Sequence, residues 1–117
     1  LKIKYKHNDV YGWTFVFIDS DDPDEVFKKF GIECNDVAGC GRHFFGKEEA
    51  IFIIVNSKHK IFDAGVLAHE CGHAVGFLFS DLGIKADHTN DEPYQYMLAW
   101  LVRNFCKTMG FEMVKKS

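Results

Sequence analysis

Residues 64–83, AGVLAHECGHAVGFLFSDLG, carry two signals at once. The first is a helix. Val66, Leu67, Val75, Leu78 and Phe79 recur at helical spacing, and Gly83 is a stop residue, so a helix is predicted from about Ala64 to Leu82. The second is the pattern H-E-x-x-H at His69, Glu70 and His73. With six histidines in 117 residues, shuffling this composition would produce that pattern in about 2 per cent of chains. The surroundings must therefore decide between a metal site and an ordinary helix with histidines on its rim.

Residues four apart stand on one helix face, so His69 and His73 can offer two imidazoles to one metal ion. Zinc suits such nitrogen ligands in tetrahedral geometry. Glu70 is turned by about 100° from His69. Its carboxylate then lies beside the ion rather than on it, where it can take a proton from the attacking water. An amphipathic helix of no chemistry would use the same apolar face. The glycines separate the two readings. Gly72 and Gly76 adjoin the histidines on the helix surface, and each costs about 1 kcal/mol against alanine in a helix interior. A helix that carries both is expected to need the close approach of another element. The metal site is the preferred reading.

A catalytic zinc needs a third protein ligand and one open position. Downstream candidates are His88, Asp91 and Glu92; upstream ones are Cys34, Cys40, His43 and His59. Glu92 opens a predicted third helix, Pro93 to Met109, which can return to the motif after a turn. Glu92 is the expected ligand, ahead of His88. Asp91 and Glu92 also suit a helix start, where carboxylates favour the positive end of the dipole. Tyr96 lies four residues after Glu92 and shares its face. Its hydroxyl is a candidate oxyanion donor, although it can equally pack with that hydroxyl in water; His88 is a second candidate for the same role.

Outward from the motif, AIFIIVNS (50–57) is the strongest strand signal, and RHFFGKEE before it suggests a hairpin. Residues 31–43, GIECNDVAGCGRH, read as Gly-rich and irregular. LKIKYK at the start alternates as a half-exposed strand, and WTFVFID (13–19) reads as a buried one. SDDPDEVFKKFG starts and stops a helix well, with Val26, Phe27 and Phe30 as its buried face. In the last helix Tyr94, Met97, Leu98, Leu101, Val102, Phe105 and Met109 would face the core. The order gives an α+β class: a small mixed sheet against helices, in one domain over residues 1–117.

The hydrophobic content is 47 % and the net charge −3, with no long run of one sign. No nucleic-acid footprint is visible. The apolar runs fall far short of the ~20 residues of a membrane span. No signal peptide is visible, and of the four cysteines Cys71 and Cys106 lie inside helices. Reduced thiols and a cytoplasmic location are expected, with Cys34 and Cys40 the pair that could close.

AIFIIVNS, IFDAGVLAHECGHAVG and DEPYQYMLAWLV together resemble the small gluzincin-type zinc peptidases. In these a strand precedes the H-E-x-x-H helix and a glutamate on the next helix completes the site. The plan is similar to that of the ImmA/IrrE metallopeptidases of mobile elements and of small peptidase-like proteins of phages and prophages. The resemblance spans roughly residues 50–105. It implies a zincin-like domain, a protein or peptide substrate, zinc on His69, His73 and Glu92, and Glu70 as general base. The alternative is a catalytically silent zinc-binding module that docks a phage or host protein. HECGH also resembles the metal helix of peptide deformylases, whose third ligand is an upstream cysteine, but the sequence around Cys34 and Cys40 differs from theirs.

Overall fold

The N-terminal strands form where the sequence alternates or runs apolar. In the computed structural model, which describes residues 1–85, 87, 89 and 91–112, β1 spans Lys2–Asn8 and β2 spans Trp13–Asp19. They pair antiparallel. Gly12, at φ 67°, closes the turn between them and donates its N–H to the Asn8 carbonyl at 2.8 Å. β1 is a sheet edge, and Lys2, Lys4 and Lys6 put on it the charge that discourages edge-to-edge association.

Helix α1, Pro23–Phe30, starts at Asp22, whose carboxylate accepts from the N–H groups of Asp24 and Glu25, and ends at Gly31 in the left-handed region. Val26 is fully buried. Phe27, expected beside it, is instead 51 % exposed. The helix has 8 residues, so it presents little more than one residue per turn to the sheet, and Phe27 is turned about 100° away from Val26. Phe30 is half-buried on Phe52, their rings 5.2 Å apart.

Strands β3, Ala38–Phe45, and β4, Glu48–Val55, form the hairpin. Here the structure corrects the sequence reading, because residues 38–43 are strand rather than irregular chain. Gly39 and Gly41 hide the strand signal, since glycine is depleted in strands. Tertiary packing is what makes them necessary. A Cβ on Gly39 would stand 2.4 Å from the Cys34 Cβ, and one on Gly41 would stand 3.1 Å from Ile32 Cγ2. The segment before the strand lies flat against it. Gly39→Ala is therefore expected to destabilise the fold by about 1–3 kcal/mol, the usual cost of overpacking against atoms that cannot swing aside. Chemical denaturation checks this; an unchanged midpoint would contradict the close approach.

The sheet order is β1-β2-β4-β3, with β2 and β4 parallel and the outer pairs antiparallel. This is the small mixed sheet of an α+β domain. The central strands are covered on both faces, which explains why WTFVFID and AIFIIV run apolar without alternation. Val16, Ile18, Phe52 and Ile54 pack on the α1 side. Phe15, Phe17, Ile51 and Ile53 pack against two long helices, α2 (Ala64–Leu82) and α3 (Glu92–Met109). The α2 limits are those predicted. The Asp63 carboxylate caps the Val66 N–H at 2.9 Å, and Gly83 ends the helix at φ 70°. In α3, Met97, Leu101, Phe105 and Met109 are buried, and Tyr94, Leu98 and Val102 are half-buried against the same core. Phe105 meets Phe17 at 4.9 Å. Among the described residues no helix is long and apolar enough to cross a membrane.

Candidate active site

Leu67, Cys71, Ala74, Val75 and Leu78 turn one face of α2 to the core. At about 100° per residue this sends His69 and His73 outward and leaves Glu70 between core and surface. Both histidines are exposed. Their Nε2 atoms stand 3.1 Å apart, with ring centroids at 4.6 Å and planes at 87°. Two imidazole nitrogens held at ~2.0–2.1 Å by one tetrahedral zinc stand roughly 3.3 Å apart. The pair thus has the spacing to share one ion. The same distance suits a hydrogen bond between two neutral imidazoles, one donating to the other.

Glu70 is 9 % exposed. Among the described residues no group makes a hydrogen bond or ion pair with its carboxylate. Among the described residues the one buried side-chain atom without a partner is Trp13 Nε1, so the Glu70 carboxylate opens to solvent while the rest of the side chain is covered. The carboxylate faces a cleft of about 570 Å³, whose α2 wall is His69, Glu70, His73 and Phe77. The opposite wall is Glu33, Cys34, Asn35 and the first residues of β3. A second arm of about 500 Å³ shares Asn35, Ala38, His69 and Glu70 and runs toward Ile61, Val66 and Val37.

Asn35 organises that opposite wall. Its side-chain oxygen accepts from the N–H groups of Val37 and Ala38 at 2.8 and 2.9 Å, and its N–H donates to the Ala38 carbonyl at 3.2 Å. Both backbone groups of Ala38 are therefore turned away from β4. In an antiparallel strand a residue's N–H and C=O point to one side, and the side alternates. Cys40 and Arg42 must then present theirs to the outer edge of the sheet, along the cleft. At the far end Arg42 pairs with Asp81 and lies 5.5 Å over the Phe77 ring, tying β3 to α2.

The other candidates are placed as follows. Glu92 is exposed in the first turn of α3, after Asp91, which makes no side-chain cap. Among the described residues no three His, Cys, Asp or Glu side chains are gathered closely enough to hold an ion. Glu92 accordingly does not stand with His69 and His73 as a ready third ligand. Tyr96 is 45 % exposed and lines neither arm. Tyr94 is the tyrosine that reaches the motif, donating its hydroxyl to the Gly72 carbonyl at 3.2 Å. This is the close approach expected at Gly72, where a Cβ would meet that hydroxyl at 3.4 Å; among the described residues a Cβ on Gly76 would meet nothing within 4 Å. Of the upstream candidates Cys34 and Cys40 line the cleft. His43 instead packs against Gly31, and His59 Nδ1 accepts the Ile61 N–H at 3.2 Å. His88 lies outside the described residues. Asn35, Ile61 and the edge of β3 escaped the sequence reading. Asn35 carried a signal in the Asx-turn potential of ECNDV; the others carried none.

All four cysteines are free. Burial, and then the charge of Glu70, pushes the Cys40 thiol up to about 12. Burial also raises Cys71, on the core-facing side of α2, and Cys34 and Cys106, which are less deeply buried. Because the thiolate is the nucleophile, native protein near pH 8 should be alkylated by iodoacetamide at Cys34 and Cys106 before Cys40 and Cys71, with all four reacting in denaturant. Mass spectrometry reads the order. Early modification of Cys71, or a missing thiol after denaturation, would contradict it. No protein-family model, curated protein or solved structure matches this chain.

Proposed function

We propose that this domain is a zinc-dependent metallopeptidase that hydrolyses peptide bonds in extended polypeptide. One observation carries the reading: two imidazole nitrogens 3.1 Å apart share a cleft with the carboxylate of Glu70, which no described residue engages in a hydrogen bond or ion pair. A structural helix has no use for that combination. In this reading His69 and His73 hold the ion, and Glu92, which does not stand with them in this arrangement, would complete the set only when the start of α3 closes on them. Bound zinc would polarise the scissile carbonyl and make water a better nucleophile at neutral pH. Glu70 takes the proton from the attacking water. Its carboxylate has no competing hydrogen bond among the described residues, so both oxygens are free for that task. The outward backbone groups of Cys40 and Arg42 suit pairing with an extended peptide as an added strand, which would lay the scissile bond across His69 and Glu70.

Hydrolysis of unfolded casein should be lost with 1,10-phenanthroline and return on adding zinc. Hydrolysis indifferent to the chelator would sink the reading. A second reading, a module of the same domain that binds a protein without cutting it, is favoured by the lack of a gathered third ligand among the described residues. It predicts stoichiometric partner binding and no turnover with zinc restored.

A further inference from the structure

The outer side of α3 carries a groove that belongs to neither arm of the cleft. It has a volume of about 430 Å³ and is lined by Ala68 of α2 and by Gln95, Leu98, Ala99, Val102 and Arg103 of α3. Leu98 and Val102 are half-buried and Ala99 is exposed, so carbon faces water along its length. The two polar residues stand at its ends, Gln95 about one turn before Ala99 and Arg103 about one turn after it. The row they form continues in both directions. Asp91, Gln95, Ala99, Arg103 and Lys107 follow one another at the i, i+4 interval, and all of them are exposed. Residues at that interval make a ridge on a helix surface. Leu98 and Val102 belong to the next ridge, and the groove includes the furrow between the two. Among the described residues none of the polar side chains in the row makes a hydrogen bond or ion pair. Read from the start of α3, the row runs acid, amide, alanine, cation, cation. Turned end for end about Ala99 it meets its own complement: Asp91 falls beside Lys107, Gln95 beside Arg103, and Ala99 opposite Ala99. A different partner would have to supply that order; a second copy of this chain already carries it.

We propose that α3 is the contact surface of a homodimer, in which the ridge of each copy lies antiparallel in the groove of the other with the twofold axis at Ala99. Packing of i, i+4 ridges into each other's grooves is the commonest way helices of globular proteins meet, and a twofold pair is the commonest symmetric assembly. The small Ala99 side chain lets the two helix backbones approach closely at the axis. Leu98, Val102 and Ala68 leave water on either side of it, which supplies the driving force. The Asp91–Lys107 ion pairs and Gln95–Arg103 hydrogen bonds at the rim fix direction and register rather than add much affinity. A parallel arrangement would set Asp91 against Asp91 and Lys107 against Lys107. No residue of the groove lines the cleft, so the dimer stands whether or not the domain cuts peptides.

Sedimentation equilibrium of the chain should show a reversible dimer, at twice the 13.4 kDa chain mass, between micromolar and millimolar concentration. Lys107→Glu sets two carboxylates together at each end of the contact and should raise the dissociation constant by about tenfold or more. Adding Asp91→Lys to it should bring the constant back toward the native value. Both positions are exposed, so the circular dichroism of the variants should match that of the native chain. Mild oxidation gives the direction of the helices. Ala99→Cys should form a disulfide-linked dimer. Gln95→Cys should not, because antiparallel packing holds the two copies of that position roughly 12 Å apart along the helices; the native chain controls for its own thiols. A chain that stays monomeric at millimolar concentration would overturn the dimer and leave the groove to a different protein. A dimer indifferent to Lys107→Glu, or one that Gln95→Cys links as readily as Ala99→Cys, would overturn this contact by placing the interface elsewhere or the helices parallel.

Discussion

Glu70→Gln is expected to cut hydrolysis by about 10²–10⁴-fold, the range lost with a general base, while zinc content and thermal midpoint stay near those of the native protein. Glutamine fills the space of glutamate, so α2 keeps its packing and His69 and His73 keep their spacing. The amide cannot accept the proton of the attacking water. Burial makes the comparison clean. A residue 9 % exposed whose carboxylate has no partner among the described residues loses no hydrogen bond or ion pair of the fold on substitution. Metal analysis, a melting curve and kcat/KM on one peptide separate these effects. Turnover kept at the native rate would remove Glu70 from the chemistry.

The second large effect concerns the ligands. His73→Ala leaves His69 without its neighbour, and zinc affinity should fall by more than the roughly 10–100-fold that loss of a merely supporting residue costs. If Glu92 is the third ligand, Glu92→Ala should fall as far. If Glu92 only favours the start of α3, its removal should cost about 0.3–1 kcal/mol of stability and leave zinc bound. Chelator competition measured beside thermal stability tells the outcomes apart. The expected result is a loss of zinc in both variants. Intact affinity in Glu92→Ala with a loss in His88→Ala would make the ligand set three histidines. A loss confined to Cys34→Ser or Cys40→Ser would move the third ligand to the opposite wall of the cleft.

Much of this molecule could be read along the chain, because the features that set it are local. α2 was legible to both ends: Asp63 before it and Gly83 after it terminate a helix by contacts within a few residues. His69, Glu70 and His73 were legible for the same reason, since helical spacing alone puts the two imidazoles on one face. β2 and β4 announced themselves as apolar runs because each is covered on both sides. What could not be read depends on residues far apart in sequence. β3 hides behind Gly39 and Gly41, whose need for small size comes from Cys34 and Ile32 lying on top of them. Tyr94, not Tyr96, touches the motif, because the packing of α3 on α2 chooses among neighbouring helix faces and spacing within one helix does not. The cleft itself is a tertiary product. Its walls are α2, the Asn35 turn, the edge of β3 and the segment around Ile61, and their meeting is set by the order β1-β2-β4-β3. Helix and strand signals act over one or two turns, whereas a site wall forms where burial of apolar surface has brought separate elements together.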